Sequence, residues 1–467
     1  MKPHADTGAN DGPTVEVNAT ADGYRGIWYA VQPSGDEYVY KYSGGMGTYC
    51  AKHQPFAVHC PEVGKTFFCY GGAPADDPRR LLHMVGFYDH ATGTVPRPTI
   101  VMDKATPDAH DNPVIAVDDA GCIWVFSTAH GRDRPSFIHR SAAPYDISRF
   151  QRVQAFRRVD GEELPLDNFS YFQAWHDSAG GFICPLTWYA WPAERTACML
   201  TSRDGVRWSS GQRLAAIEKG HYQISAVRDG TVACAMNYHP APHGLNWRTN
   251  LYYITSDDLG RTWRTADGRV AELPLTEPDN PALVHDWRAE KRNVYLKDIT
   301  FDVDGRPVVL VVTSRGYASG PDNDPRTWTT VRWTGRNWDI RPVTTSDNNY
   351  DTGSLYVEPD GTWRIIAPTL AGPQPYNPGG EIAMWVSPDR GRTWEMTRRM
   401  TGRSERNHNY VRRPVNAHPD FYGFWADGHA RRVSGSVLYF CNKVGDVFAL
   451  PAKMEADQAR PVAIACD

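Results

Sequence analysis

His110, in Asp108-Ala109-His110-Asp111-Asn112-Pro113, and His130, in Ser127-Thr128-Ala129-His130-Gly131, carry the side chain that takes or gives a proton near neutral pH. One short strand out and one back separates them, which returns the chain to the same rim, so both imidazoles can face one ligand. A third histidine, His53, follows Ser43-Gly44-Gly45-Met46-Gly47, where small residues let backbone approach a bound molecule closely. His221 and Tyr222 stand in Lys219-Gly220-His221-Tyr222, His239 closes Asn237-Tyr238-His239, and Arg248 ends Asn246-Trp247-Arg248. A guanidinium is a planar fork that matches the two oxygens of a carboxylate; the other reading of Arg248 is an ion pair between neighbouring structural units. Lys297, Arg412 and Arg413 are further cations with weaker claims.

Acid, base and anion partner in one place suit β-elimination at a uronic acid. The C5 proton of such a sugar is weakly acidic until its carboxylate is neutralised, after which a base removes it and an acid protonates the departing O4. Arginine and histidine supply the neutraliser, and His110, His130, His53 or Tyr171 the base and acid. No Asp/Glu pair stands out at the corresponding positions, which weighs against a two-carboxylate glycosidase. An arginine triad with a nearby nucleophilic Tyr and Glu is missing too, which weighs against sialidase chemistry.

These residues must be brought together by a repeat. Several segments share one pattern: a polar or aromatic residue, a short apolar strand, a turn with Gly or Asp-Gly, and a second strand rich in β-branched and aromatic residues. The leading positions are His53, His110, Tyr171, His221, Lys297, Ser354 and His418. A second signature interleaves with this one. Ser256-Asp257-Asp258-Leu259-Gly260-Arg261-Thr262-Trp263 and Ser387-Pro388-Asp389-Arg390-Gly391-Arg392-Thr393-Trp394 are Asp-box hairpins, and Ser202 to Trp208 is a shorter variant. In each, Asp caps backbone N–H groups, Gly takes a positive φ and Trp packs between neighbouring sheets. The expected fold is therefore all-β, a seven-bladed β-propeller spanning 24–467 behind a flexible tail, 1–23. Ring closure hides sheet faces and edges and makes the residues before the innermost strands converge at the channel mouth.

Composition bounds the partners. Lys and Arg number 50 against 54 Asp and Glu, a formal charge of -4, and no long run of one sign offers a phosphate-binding stripe, so nucleic acid is not an expected partner. The 16 Trp and 23 Tyr suit stacking on sugar rings as well as a propeller core. Nine scattered Cys without a CxxC pair read as reduced and mostly buried rather than as disulfides or a zinc site. Residues 1–22 lack the apolar core of a signal peptide, and no segment is long enough to span a bilayer, so a cytoplasmic location without membrane contact is expected. A leader removed beforehand would leave the same chain, with a secreted or periplasmic location.

Tyr24-Arg25-Gly26-Ile27-Trp28-Tyr29 and Lys41 to His53, taken with Asp108 to Pro113, Ala129-His130-Gly131, Asn237-Tyr238-His239 and Arg412 to His418, carry a family likeness. They resemble the BNR-repeat propellers acting on L-rhamnose-α-1,4-D-glucuronate, which comprise polysaccharide lyase family 42 and the rhamnosidases of glycoside hydrolase family 145. The resemblance runs from about Tyr24 to the C-terminus. It implies a seven-bladed propeller, an arabinogalactan-type or similar uronic-acid-containing oligo- or polysaccharide substrate, and a calcium ion in the central channel. His110 and His130 are also similar to the two-histidine arrangement of the more distant ulvan lyase propellers. In those lyases an Arg follows the third-blade Tyr near the end of the next strand, where this chain has Thr187, so Arg248 or a metal takes over as the expected neutraliser. The implied activity is lyase cleavage, with His110, His130 and His53 as acid/base residues and Tyr171, His221, Tyr222, His239, Arg248 and Lys297 on the substrate. A rhamnosidase using His53 and water, or a binding propeller without catalysis, are the rivals.

Overall fold

The computed structural model describes residues 13–47, 52–132, 134–189 and 193–465. Tyr49, Cys50 and Ala51 of the motif above lie outside these residues, as do most of the expected tail and Cys466. The alternating apolar pattern and Gly-bearing turns produce strands throughout, and among the described residues seven sheets of four or more strands follow one another along the chain. Their innermost strands are Ala57–Cys60, Pro113–Val117, Trp175–Asp177, His221–Arg228, Asn293–Phe301, Ser354–Val357 and Asn407–Arg412. Each pairs antiparallel with the strand that follows it.

Burial explains why the second strands read as unbroken apolar runs. Val308 to Val312 are all fully buried, because neighbouring sheets cover both faces of the strand that carries them. The innermost strands touch around the ring: Ile115 N–H donates to the Pro55 carbonyl (3.0 Å), Ala174 to Gln54 (2.9 Å) and His59 to Val415 (3.0 Å). Leu355 N–H donates to the Asp298 carboxylate at 2.9 Å. Contacts between the first and last sheets close the circle, with Val58 and Val415 bridging.

The Asp-boxes form as expected. Asp258 accepts from Thr262 N–H, Asp389 from Thr393 N–H (2.8 Å each) and Asp204 from Arg207 N–H (2.7 Å). Gly260, Gly391 and Gly205 have φ of +85°, +82° and +71°. Trp263 spans two sheets through a 2.8 Å hydrogen bond to Gln212. All seven described cysteines are free and buried. No helix of the described residues is long and apolar enough to cross a membrane.

Three expectations need correcting. Val15–Thr20, assigned to the tail, is the outermost strand of the first sheet, paired with Thr99–Asp103. Its Val-x-Val alternation is a strand signal, and an unpaired sheet edge gives it a partner. His418 does not lead an innermost strand: Asn407–Arg412 fills that place, and His418 lies in the connection to Gly423–Gly428. Lys297 does not precede its strand but sits within it, at a register shift between Leu296 and Asp298.

Candidate active site

One rim of the channel gathers most of the expected residues. His110 lies in a 3₁₀ turn, Ala109–Asp111, whose N-cap Asp108 accepts from the His110 backbone N–H at 3.0 Å. The same carboxylate oxygen accepts from His110 Nδ1 at 2.6 Å, while the other accepts from His130 Nδ1 and from Arg134, both at 2.8 Å. Both imidazoles thus carry Nδ1–H toward one anion and turn a lone pair on Nε2 outward. Their rings stack with centroids 4.0 Å apart, 19° from parallel. Arg134 is held in turn by Asp111, at 2.9 and 3.1 Å.

The two histidines are not equivalent. His110 is almost fully buried, and its Nε2 meets the Tyr42 hydroxyl at 3.2 Å, with Tyr29 Oη 2.8 Å from Nδ1. Burial, with the His130 imidazole beside it, pushes its pKa down to about 4. His130 keeps 27% of its side chain exposed and is the ring a large substrate reaches. Burial alone would raise the Asp108 carboxyl, but the two imidazoles around it hold it well below the usual carboxylate range. Tyr29 and Tyr42 come from a separate hairpin, Trp28–Pro33 with Tyr40–Gly45, laid over this rim.

Tyr171 is the hub of the site. Its backbone takes a φ of +50°, unusual for a bulky residue, just before its innermost strand. Its ring lies 5.4 Å from His53, 5.9 Å from His110, 6.4 Å from His130 and 5.2 Å from Tyr222. Tyr222 leads on to Arg248, whose guanidinium sits over the rings of Tyr295, Tyr222 and Tyr350 at 4.7, 5.0 and 5.6 Å. Its Nε and Nη2 donate to the Leu245 carbonyl at 3.3 and 3.2 Å, and the aromatic faces attract the cation without neutralising it. Lys297 donates to the Asn349 carbonyl at 2.7 Å, and burial pushes its pKa down to about 7 despite the Asp351 carboxylate.

His53 is brought in but lies beneath the surface, fully buried, with Nε2 3.2 Å from Thr128 Oγ1. His239 is fully buried 4.9 Å from Tyr222, and its ring nitrogens make no hydrogen bond among the described residues. His221 is a correction. Its Nε2 accepts from Ile217 N–H and its Nδ1 donates to the Asn237 carbonyl, both at 2.8 Å, so both ring nitrogens serve the fold. Side chains alternate along a strand; Tyr222 faces the site and His221 faces away.

Sequence reasoning missed Tyr42, Tyr189, Tyr295, Tyr350, Lys41, Lys52 and Arg195 as site residues. Arg195 lies 5.1 Å over Tyr189, whose ring is 5.9 Å from His130, so a second guanidinium flanks the histidine pair. Thr187 is buried, and Arg195, over the Tyr189 ring, supplies positive charge on that side. Lys41 reaches across to Asn246 at 2.7 Å, and burial followed by Arg248 and Arg195 pushes its pKa down to about 7. The available signal was the density of Tyr beside each leading position.

Asp108, His110 and His130 offer ligand atoms close enough for a cation. Both Asp108 oxygens, however, already accept from imidazole and guanidinium, and a cation there would face Arg134. Calcium prefers six to eight oxygens; the two convergent groups of candidate side-chain ligands among the described residues are imidazole-rich and do not suit it.

Residues 85–346, more than half of the chain, match the model of the BNR repeat-containing family. The chain belongs to that family. No curated protein matches it. Among solved structures it is similar to a PL25 ulvan lyase, at 17% identity and a TM-score of 0.68, covering 92% of this chain and 96% of that one. The same comparison holds for that lyase bound to -[GlcA(1-4)Rha3S]-. It is also similar to the polysaccharide lyase Uly1, at 11% identity and a TM-score of 0.63, covering 92% of this chain and 99% of that one. At these identities the likeness establishes the propeller fold, and the family's BNR repeats accord with the Asp-boxes.

Proposed function

We propose that the protein is a carbohydrate lyase that cleaves a uronic-acid-containing glycan by β-elimination, with the bond to a rhamnosyl-linked glucuronate as the preferred target. The observation that carries this reading is the Asp108-anchored pair of imidazoles beside Tyr171, flanked by Arg195 and Arg248. An elimination needs one proton acceptor, one donor and a cation for the carboxylate, and these groups are of those three kinds. The PL25 ulvan lyase solved with -[GlcA(1-4)Rha3S]- bound has the same fold, which supports the substrate class.

His130 Nε2 takes the C5 proton, since His110 Nε2 is engaged by Tyr42. Asp108 holds the Nδ1–H of His130 and stabilises the imidazolium that forms. Electrons of the C5–H bond become the C4–C5 double bond, the C4–O4 bond breaks, and the Tyr171 phenol gives its proton to O4. Arg195 or Arg248 pairs with the sugar carboxylate so that charge developing at C5 is stabilised. His53, buried below Tyr171, supports that ring and does not reach substrate.

Incubation with a rhamnosyl-glucuronate oligosaccharide tests the reading. An ultraviolet-absorbing unsaturated uronate at the new non-reducing end is expected. Saturated products with free rhamnose would make the protein a hydrolase, and binding without turnover would make it a binding module.

A further inference from the structure

The opposite rim carries a second group of imidazoles. The innermost strand of the first sheet runs away from His53 and ends near His59, and Leu82–Asp89 runs the same way to His90. His418 and Asp420 belong to the last sheet, in the connection that follows its innermost strand. The four residues therefore straddle the seam where the ring closes. The rings of His90 and His418 are 3.8 Å apart by centroid, and His59 lies 4.9 Å from His418 and 5.2 Å from His90.

One ligand-type atom from each of His90, His418 and Asp420 lies within 4.8 Å of the other two. His90 has only 7% of its side chain exposed; Thr66 Oγ1 meets its Nε2 at 2.8 Å, while its Nδ1 makes no hydrogen bond among the described residues. That buried nitrogen lies 4.0 Å from the Asp420 carboxylate. His418 Nδ1 accepts the Asp420 backbone N–H at 3.1 Å, which marks it as unprotonated, and stands 3.7 Å from the same carboxylate oxygen. Ligands on a tetrahedral zinc ion with bonds of 2.0–2.1 Å are about 3.3 Å apart, so the 3.7 and 4.0 Å separations from the Asp420 carboxylate would close by about 0.4 and about 0.7 Å. The buried His90 Nδ1, which makes no hydrogen bond among the described residues, is the position a divalent cation would satisfy.

We propose that His90, His418 and Asp420 bind one zinc-like divalent ion that fastens the first sheet to the last, with the His59 ring packed against both imidazoles. Two imidazole nitrogens and one carboxylate are a borderline donor set, which favours zinc over calcium or magnesium. Thr66 plays the outer role of fixing which His90 nitrogen faces the metal. This inference does not rest on the activity proposed for the other rim.

The test strips the full-length protein with a chelator, adds zinc, removes the excess and measures zinc per chain, alongside thermal unfolding with and without the metal. One equivalent and a raised unfolding temperature are expected, because an ion bound only by the folded chain stabilises it. His418→Ala, in a side chain 30% exposed, should stay folded yet bind zinc at least about 100-fold more weakly and show no thermal gain. Asp108→Asn should retain the zinc. Uptake that His418→Ala leaves unchanged, uptake lost in Asp108→Asn instead, or a wild-type protein that retains no zinc would overturn the proposal.

Discussion

The two rims hold similar residues put to different use. On one, two imidazoles share Asp108, whose oxygens are filled by Nδ1–H groups and by Arg134. On the other, His90 Nδ1 and His418 Nδ1 lie 4.0 and 3.7 Å from the Asp420 carboxylate, and among the described residues no arginine pairs with it. The lesson is that a histidine cluster acquires its chemistry from what its other nitrogen touches. Where Nδ1 is tied to a buried carboxylate, Nε2 is a lone pair aimed at a substrate. Where imidazole nitrogens gather about an exposed carboxylate that no guanidinium fills, the group has the composition of a metal-ligand set.

Breaking the first arrangement should have the largest effect. In Asp108→Asn the amide cannot accept from both imidazoles, so one ring turns or changes tautomer, while Arg134 remains tied to Asp111. Turnover should fall by about 10⁴-fold, as when the orienting carboxylate of a hydrolase triad is amidated. Steady-state release of unsaturated product measures it, and a loss below tenfold would mean that Asp108 does not orient the base. Next, Tyr171→Phe removes the proposed proton donor but keeps the ring on which His110, His53 and Tyr222 pack. The expected loss is roughly 10²–10⁴-fold in kcat with little change in KM. A rise in KM alone would place the hydroxyl in binding. Arg248→Lys keeps the charge over the three tyrosines but loses the fork, and should cost about 10–100-fold in kcat/KM, on the order of 1.4–2.8 kcal/mol. If Arg195→Lys costs more, the neutraliser is the guanidinium beside Tyr189.

The same comparison marks what could be read from the sequence. The fold was legible because its devices are local: Asp-box hairpins and turn-separated strands are written in consecutive residues. His110, His130 and Tyr171 were legible because each precedes or follows an inner strand by the same few positions. His221 was not, since one step along a strand reverses a side chain, and the residue that faces the mouth is Tyr222. Arg195 and Lys41 belong to a connection and an overlying hairpin, whose positions depend on packing rather than on the repeat. The seam cluster was invisible for a similar reason: His59 and His418 are far apart in sequence and meet only because the ring closes.

Acidification offers a smaller, graded test. His110, His139 and His221 are pushed down to about 4, by burial before any other cause. In the unfolded chain they would titrate near 6.5. Between these values the unfolded state binds more protons than the folded one, so stability rises with pH across the window and is lost as pH falls from about 6.5 to about 4. Calorimetric unfolding temperatures should therefore decline steadily as pH falls through that interval. A midpoint indifferent to pH between 6.5 and 4 would mean that these rings are protonated in the native state.

The mildest intervention bears on the opposite rim. Asp420 is 60% exposed, so its carboxylate gives the fold little and its value would lie in the ion. Asp420→Asn preserves shape and a carbonyl oxygen but removes the charge, leaving the imidazoles to hold zinc. Affinity measured by competition with a chelating dye should weaken by at least about tenfold, because a ligand's charge is worth no less than a group outside the ligand set, with stoichiometry unchanged. A complete loss of binding would make Asp420 the principal ligand. No change would leave the imidazoles as the whole site. In either case its carboxylate contrasts with that of Asp108, whose oxygens accept from imidazole and guanidinium N–H groups and so fix which nitrogen of each neighbour carries the proton.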